Sequence, residues 1–304
     1  MKRRVTRKAD PLRAGAAMVD ITPKAGTHLA GSGAGEHRPA QVVLDPLYAK
    51  AVVFESGGKK LCFLALDVTI VTEEWTAQIR SAAEKQFGFD PGAVMVHATQ
   101  THSAPPLGHI MFDPDFVTPA ADPEYIRGGE TPYYRFAVQR AIEAIGKANA
   151  ALRPAQIGVG SAVRDDLAFN RRGVMRNGKV CMPWFYASQQ YPLGPTHIRH
   201  IEGPADPEVV VLCVRDASMR MIAMLLHFTS HPVNLYATKY YAVSADWPGA
   251  WSAEMQARFG ADCVPLVLNG CCGNINPWPA FVPDFKPDHR RMGRALAETT
   301  DKII

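Results

Sequence analysis

The sequence predicts an α/β protein in which a mixed β-sheet core is flanked by helices in a single domain of the catalytic type. Two observations predict this class. Apolar runs of strand length alternate with segments whose apolar residues recur at helical spacing, and most polar clusters stand where an apolar run stops. In sheet-based folds such clusters meet at one edge, where α/β proteins place their chemistry. The 304 residues, 47% of them hydrophobic, are enough for one large core.

The predicted strands are apolar runs that end at Pro, Gly or polar residues. Two pairs are expected to form hairpins, turned at Ser56-Gly57-Gly58 and at Ala217-Ser218. The glycine-rich stretch at 26–35 lacks the context of a phosphate site and is expected to form a loop. In chain order the strands cover residues 12–20, 47–54, 60–68, 93–96, 156–165, 206–216 and 220–228. The third and fourth enclose a helical segment and so predict a βαβ unit with parallel strands.

The predicted helices are amphipathic and cover residues 73–87, 132–152, 248–259 and 288–304. The first closes at Gly88 and the second ends at Pro154. The fourth reaches the end of the sequence without a cap, which predicts a truncated chain or a further element beyond it. Residues 112–131, rich in Pro, Asp and Gly, are expected to form a long functional loop. Residues 169–172 are expected to form a turn.

Positive charge is concentrated at the N-terminus. Five basic residues lie between positions 2 and 8, so the net charge of +4 leaves about −1 for the rest of the chain. We therefore expect a basic, flexible tail over residues 1–11 and a nearly neutral domain over residues 12–304 that does not bind nucleic acid. The tail is either merely solvated or makes weak contact with a membrane surface. Neither a signal peptide nor a transmembrane segment is recognisable, which predicts a cytoplasmic protein, or a secreted one if the true start lies upstream.

Histidines stand near the ends of two predicted strands. His97 and His102 follow the strand at 93–96, and His231 follows a later strand. Neutral imidazole is a common zinc ligand and a base near neutral pH, although a hydrogen-bonded core histidine is the commoner case. If the segment after His97 stays extended, Gln100 and His102 point to one face and His97 to the other. We therefore expect His102 and His231 to share a site, and His97 is a further metal candidate.

Two carboxylates, a turn and two arginines complete the candidate set. Asp246 either caps the following helix or orients a ligand histidine or a metal. Asp67, at a strand end, likewise either orients a ligand or catalytic group or caps a turn. The turn at 269–277 has glycines that allow close backbone approach, so it is either an ordinary tight turn or an oxyanion site. Arg171 and Arg172 are suited to clamp a carbonyl or an anionic group, and one of them is expected to be only a surface charge.

Eight segments carry a resemblance to a known family. They are Leu12-Arg-Ala-Gly15 through Asp20-Ile-Thr-Pro23, Asp45-Pro-Leu-Tyr-Ala49, Leu66-Asp67, Ala98-Thr-Gln-Thr-His-Ser-Ala-Pro105, Asn170-Arg171, His227-Phe-Thr-Ser-His-Pro232, Ser244-Ala-Asp-Trp-Pro-Gly249 and Asn269 to Pro277. In this order, over nearly the whole chain, they resemble the neutral/alkaline, non-lysosomal ceramidase family. The resemblance implies a zinc-dependent amidase, because members of that family cleave the N-acyl bond of ceramide to a sphingoid base and a fatty acid.

The resemblance also implies roles for individual positions. His231 matches a zinc ligand of the family. The family's upstream motif looks like Thr-His-Thr-His-Ser-Gly-Pro with its first histidine on the metal; that position is Gln100 here, and the second histidine is His102. The family's active-site serine falls on Asn276 and its aspartate on Asn274. A glutamate ligand, a tyrosine ligand and, in larger members, an immunoglobulin-like domain come from beyond the matching stretch.

The residues and the resemblance together predict a zinc-dependent hydrolase of N-acyl amide bonds that acts on a small-molecule or lipid substrate. In this hypothesis His231 and His102 hold or flank zinc, which acidifies a bound water. Arg171 and the turn amides near Asn274 and Asn276 stabilise the developing oxyanion. Two alternatives stay open. One is a catalytically silent relative that binds a lipid or glycan-like ligand, and the other is a metal hydrolase that cleaves a different bond, such as an ester.

Overall fold

Apolar runs form the central strands of the protein, and amphipathic segments form the helices that cover them. The structure is a computed structural model, which describes residues 10–31, 37–109, 123–182, 198–236, 238–279, 282 and 285–304. The helices are α1 (Glu73–Phe87), α2 (Thr131–Ala150), α3 (Asp246–Phe259) and α4 (His289–Ile303), with 3-10 helices at Pro91–Ala93 and Glu124–Arg127. The strands are β1 (Arg13–Asp20), β2 (Val42–Val43), β3 (Tyr48–Ser56), β4 (Lys59–Leu66), β5 (Val94–Ala98), β6 (Arg153–Val163), β7 (Phe169–Asn170), β8 (Gly173–Met175), β9 (Val180–Cys181), β10 (Ile198–Ile201), β11 (Glu208–Asp216), β12 (Met221–Phe228), β13 (Ala242–Val243), β14 (Val264–Asn269) and β15 (Ile275–Asn276).

Eight strands form one mixed sheet in the order β14-β12-β11-β6-β1-β3-β4-β5. Neighbours are antiparallel, except that β4 runs parallel to β5 and β12 runs parallel to β14. The sheet has two halves, because β1 and β6 pair only through Arg13 with Pro154 and Ala14 with Arg153. Beyond these pairs β6 runs along β11 instead. Smaller sheets join β10-β8-β9, β13-β2 and β15-β7.

The two halves of the sheet pack face to face, and helices cover their outer faces. An apolar cluster between the halves includes Val52, Ala65, Ile222 and Leu266 from four different strands. Helices α1 and α2 pack on the half that contains β1, β3 and β4. Helices α3 and α4 pack on the half that contains β11 and β14. The central parts of β3, β12 and β14 are thus covered on both faces in a four-layered α/β arrangement, which explains their continuously apolar runs, whereas β6 is largely exposed.

The structure confirms the mixed α/β class and most of the predicted elements. Helix α1 spans the predicted residues 73–87, begins with Glu73 and Glu74 in its first turn, and ends at Gly88 with φ +70°. The unit β4-α1-β5 is the predicted βαβ unit, with parallel strands. Among the described residues, no helix combines the length and the apolar character needed to cross a membrane.

Several predicted boundaries need correction. Strand β5 extends to Ala98, so His97 lies within the strand and does not follow it. Helix α3 begins two residues earlier than predicted, at Asp246. Phe169–Asn170 form β7, because they pair with β15, so the predicted turn there is partly a strand. Much of the predicted loop at 112–131 and most of the predicted basic tail lie outside the described residues.

Helices α3 and α4 cross closely at Gly293. A Cβ built on Gly293 would lie 2.6 Å from the Cβ of Ala250 and 2.7 Å from its backbone carbonyl carbon. Real Cβ atoms do not approach other atoms so closely, so only glycine allows this spacing. The crossing matters for the site because α3 follows directly after the strand-end segment that contains Ser244.

We expect Gly293→Ala to lower the free energy of unfolding, since the added methyl group meets backbone that cannot move without shifting α3. Overpacking costs about 1–3 kcal/mol, and the higher helix propensity of Ala offsets about 1 kcal/mol of it. Gly158→Ala is the matched control, because a Cβ there meets nothing within 4 Å. Urea denaturation of the three proteins tests this, and equal stabilities would contradict the close crossing.

Candidate active site

The parallel strand pairs of the two half-sheets end at one edge, and Asn269 links them there. The N–H of Asn269, the last residue of β14, donates to Nε2 of His97 on β5 (3.0 Å). Its side-chain amide donates to the carbonyl oxygen of Thr99 (3.1 Å), and its Oδ1 accepts from the N–H of Ser230 (3.2 Å). The segments that follow β5, β12 and β14 are therefore held together, as the polar strand ends predict.

His102 and His231 meet at this edge, as the sequence predicts. Their Nε2 atoms lie 2.9 Å apart and their ring centroids 4.7 Å apart. The N–H of His102 also donates to the carbonyl oxygen of Pro232 (3.0 Å). The premise of an extended segment is wrong, however, because Gln100 has φ +65°. The alternation of faces along a strand therefore does not explain why these rings meet.

Backbone groups hold both rings in place. Nδ1 of His231 donates to the carbonyl oxygen of Cys272 (2.8 Å), and the N–H of His231 donates to that of Ile275 (3.0 Å). The His102 ring makes a hydrogen bond with the backbone of Gly31. Because Nδ1 of His231 is the donor in the neutral ring, the lone pair of its Nε2 faces Nε2 of His102.

Both imidazoles are neutral at pH 7. Burial, together with the positive charge of Arg171, lowers the pKa of His231 to about 4. Burial also brings the pKa of His102 well below 6.5, with additional contributions from His231, Arg38 and Arg171. Neutral imidazole is the form that binds metals or accepts a proton, so the pair is suited to either role.

Gly31 and Arg38 position His102, and both roles are absent from the sequence prediction. Gly31 has φ +109°, and a Cβ there would lie 2.7 Å from Cγ of His102. Nη1 of the buried Arg38 donates to the carbonyl oxygens of His102 (2.8 Å) and Ala30. The Arg38 guanidinium stacks on Tyr236, 4.8 Å from the ring centroid, and Tyr236 meets the His102 ring edge to face. The glycine-rich stretch at 26–35 is the sequence feature that could have indicated the close packing of Gly31 against His102.

The turn between β14 and β15 holds Arg171 as well as His231. Nε and Nη2 of Arg171 donate to the carbonyl oxygen of Gly273 (3.1 and 2.7 Å), and Nη1 donates to Oδ1 of Asn276 (3.3 Å). The N–H of Arg171 donates to the carbonyl oxygen of Asn274 (2.7 Å). Asn274 therefore contributes its backbone carbonyl, and Asn276 contributes its side-chain oxygen. The structure brings these three predicted residues together beside His231.

Gln100 contacts a thiol at this edge of the sheet. Its Oε1 lies 2.7 Å from Sγ of Cys272, and Nδ2 of Asn269 lies 3.4 Å from the same sulfur. Burial raises the pKa of the Cys272 thiol to about 11, so the sulfur is protonated at pH 7 and donates to Gln100. The side-chain oxygen at the position where the resemblance implies a histidine ligand is therefore already hydrogen-bonded.

The two candidate carboxylates contact groups other than the histidine pair. Oδ1 of Asp246 accepts from Nδ2 of Asn234 (2.8 Å) and from the N–H of Trp247 (2.6 Å). It thus joins the segment after His231 to the first turn of α3. Asp67 forms an ion pair with the buried Lys50 (3.3 Å). Burial raises the pKa of both carboxyl groups.

The histidine pair fits two ligand positions of zinc. Zinc–nitrogen distances of about 2.0–2.1 Å place two nitrogens of a tetrahedral site roughly 3.3 Å apart. The 2.9 Å separation of the Nε2 atoms would have to open only slightly. Zinc-binding histidines are commonly oriented by a hydrogen bond from Nδ1 to a backbone carbonyl, as His231 is by Cys272. Among the residues that the structure describes, no third His, Cys, Asp or Glu joins the pair in a metal-binding group. These residues thus supply two of the three protein ligands typical of catalytic zinc.

His97 lies outside the pair, because its Nε2 accepts the hydrogen bond from Asn269 (3.0 Å). Burial, together with the neighbouring His227, lowers its pKa to about 4. Protonation would replace the accepting lone pair with a second N–H that faces the N–H of Asn269. His97 therefore links the two half-sheets only in its neutral form.

The stability of the protein should accordingly depend on pH through His97. The unfolded chain, with a histidine pKa near 6.5, binds a proton before the folded chain does, so the free energy of unfolding falls as the pH drops from 6.5 toward 4. The loss attributable to His97 is at most about 3 kcal/mol. His97→Gln, whose amide oxygen can still accept, should reduce this dependence in urea titrations across the range, while His102 and His231, whose pKa values are also lowered, maintain the remainder. His200→Gln, at an exposed position of β10, should not, and an unchanged slope in His97→Gln would contradict the assignment.

The chain is similar to known proteins in both sequence and fold. The family model described as "Neutral/alkaline non-lysosomal ceramidase, N-terminal" matches residues 12–263. The neutral ceramidase of Pseudomonas aeruginosa has a similar fold, with a TM-score of 0.73 and 19% identity over 97% of this chain and 45% of that one. A structure described as "Ceramidase complexed with C2" gives a TM-score of 0.72 and 20% identity over 97% of this chain and 44% of that one. The chain thus spans less than half the length of these solved structures. Because the family model covers well over half of the chain, the protein belongs to the neutral/alkaline non-lysosomal ceramidase family.

Proposed function

We propose that the protein is a hydrolase of N-acyl amide bonds that acts on ceramide-like lipids, with zinc held by His102 and His231. The observation that carries the proposal is the meeting of two neutral imidazoles through their Nε2 atoms, 2.9 Å apart. Family membership supports the reaction class, and the resemblance to solved ceramidases supports the fold in which the pair is held. The described residues supply two ligands, and solvent, substrate or further residues would occupy the other positions.

The chemistry of the site divides between the ion and the protein. Zinc, when bound, polarises a carbonyl and acidifies a water molecule. The residues of this chain orient the two rings through the backbone of Gly31 and Cys272 and keep both rings neutral by burial. Arg171 supplies a fixed positive charge beside the pair, at a position to stabilise negative charge that develops on the scissile carbonyl oxygen. Its bonds to the turn carbonyls hold it there without reorganisation.

A catalytically silent binding protein is the second candidate function. Gln100 and Asn276 favour it, because the resemblance implies a zinc ligand and a serine at these two positions. Amide side chains bind metals weakly and do not act as nucleophiles. In this case the site would hold a lipid or glycan-like ligand without cleaving it. Turnover of an N-acyl substrate that a chelator abolishes and zinc restores would exclude this candidate.

Zinc binding by the pair is tested by metal analysis after dialysis against buffers of fixed free zinc. We expect one zinc ion per chain in the parent protein and an affinity lower by roughly 100-fold or more in His102→Ala and in His231→Ala, because each substitution removes one of the two nitrogen ligands. Hydrolysis of a short-chain N-acyl sphingoid substrate should fall in parallel. His200→Ala is the control with an exposed imidazole. Equal zinc contents in all four proteins would contradict the proposed site.

The contribution of Arg171 is tested by one substitution that removes its charge and one that keeps the charge but removes its forked guanidinium. We expect Arg171→Gln to lower kcat by on the order of 10- to 100-fold with a smaller change in KM, because the lost charge acts mainly on the transition state. Arg171→Lys should fall between the two, since it keeps the charge but loses the paired bonds to Gly273. Arg172 provides the matched control, because its guanidinium pairs with the exposed Glu202. A kcat for Arg171→Gln that equals that of Arg172→Gln would contradict this role.

A further inference from the structure

A cleft of about 370 Å³ lies beside α3 and α4, and none of its lining residues belongs to the histidine pair. Its volume is within the range of small-molecule sites. Met18, Pro46, Ala250 and Pro265 contribute apolar wall. The cleft is also lined by several charged side chains, whose pairing decides what kind of ligand it suits.

The acidic side chains of the cleft are already neutralised. Asp45 accepts from Nε2 of His289 (3.0 Å) and from Nη2 of Arg290 (3.3 Å). Burial alone would raise the pKa of Asp45, but these contacts and the Ser244 hydroxyl outweigh burial and lower it to about 2. Glu254 forms an ion pair with Arg258 (3.1 Å), which also pairs with Asp301 (3.1 Å). Each carboxylate of the cleft therefore already has a basic partner.

One of the basic side chains has no partner among the residues that the structure describes. Arg290 is paired with Asp45, and Lys50 is paired with Asp67 (3.3 Å). Arg294 lines the cleft from α4, is exposed, and has no hydrogen bond or ion pair within the described part of the chain. Among the described residues, the cleft thus has one unpaired cation, at its exposed rim.

Lys50 adds a polar group at the buried end of the cleft. It is 2% exposed, and its ammonium group makes two polar contacts, with Asp67 and with Oγ of Ser252 (3.1 Å). An ammonium group has three N–H donors, so these contacts leave one N–H without a polar acceptor, and the ring centroid of Tyr48, another lining residue, lies 5.9 Å from Nζ. The rim and the buried end therefore present a free cation and a free donor, with apolar wall between them.

We propose that this cleft binds a small organic carboxylate with an apolar chain and a second oxygen acceptor at its far end. The carboxylate pairs with Arg294, the chain lies on the apolar wall, and the second oxygen accepts from Lys50. A single uncompensated charge matches a carboxylate better than a phosphate monoester, which carries about −1.5 to −2 at pH 7. This site is separate from the proposed amide hydrolysis and does not depend on it.

The test is a chemical-shift titration of the whole protein with three probes: hexanoate, hexanamide and 6-hydroxyhexanoate. We expect saturable shifts in α3 and α4 with hexanoate and roughly five- to tenfold weaker binding of hexanamide, which lacks the charge. We expect 6-hydroxyhexanoate to bind roughly threefold more tightly than hexanoate, because its hydroxyl gives Lys50 an acceptor. Lys50 itself is left intact, since its removal would leave Asp67 unpaired in the interior.

Four variants test whether the probes bind in the cleft or elsewhere on the protein. Arg294→Gln should make hexanoate and hexanamide bind equally, whereas Lys302→Gln, two turns further along α4, should preserve their difference. Ala253→Trp places a large side chain at an exposed lining position and should abolish binding of all three probes. His231→Ala should leave the titrations unchanged even if the proposed hydrolase function fails.

Three results would overturn the proposal. The first is the absence of saturable hexanoate binding in the parent protein. The second is an equal loss of binding in Arg294→Gln and Lys302→Gln, which would indicate a general charge effect. The third is binding that survives Ala253→Trp but disappears in His231→Ala, which would locate the ligand at the histidine pair.

Discussion

The geometry of the site depends on one residue that joins the two half-sheets. Asn269 uses its N–H, its side-chain amide and its side-chain oxygen on His97, Thr99 and Ser230, which belong to both halves. Asparagine can do this because it carries donors and an acceptor on one short side chain. The loop with His102 leaves the sheet at Thr99, and the loop with His231 leaves it at Ser230. The hydrogen bonds of Asn269 therefore fix the points from which the two histidine loops begin, in a layer where unpaired polar groups are costly.

Much of the fold and part of the site follow from the sequence. Helix α1 is predictable to the residue, because its apolar spacing ends at a glycine that tolerates φ +70°. The face-to-face packing of the half-sheets is not predictable, because it depends on a two-residue pairing of β1 with β6 that no local sequence pattern indicates. The positions of the strand ends predict that His102 and His231 meet, but the prediction assumes an extended backbone at Gln100, whose φ is +65°. The roles of Arg38 and Gly31 rest on contacts between segments far apart in sequence, which periodicity cannot reveal.

Burial and positive charge act in the same direction at the histidine pair. Burial disfavours imidazolium, and the charge of Arg171 disfavours it further, so the two rings stay neutral well below pH 7. The same charge weakens the binding of a cation between the rings and strengthens the binding of an anion beside them. A site with only two nitrogen ligands and an adjacent guanidinium is therefore better suited to a cation accompanied by a negatively charged group than to a cation alone.

Ser244 lies between the histidine site and the cleft and is hydrogen-bonded to a residue beside each of them. Its hydroxyl donates to Asp45 (2.5 Å) at the cleft, and its carbonyl oxygen accepts from Oγ1 of Thr101 (2.8 Å), one residue before His102. Contiguous hydrogen bonds of this kind fix both sites relative to each other, but they do not by themselves couple ligand binding. Coupling requires an element with two alternative arrangements whose balance both ligands shift. Ser244 is buried and is hydrogen-bonded toward both sites, so it holds them in one fixed arrangement. Occupation of one site is therefore expected to leave the geometry of the other unchanged.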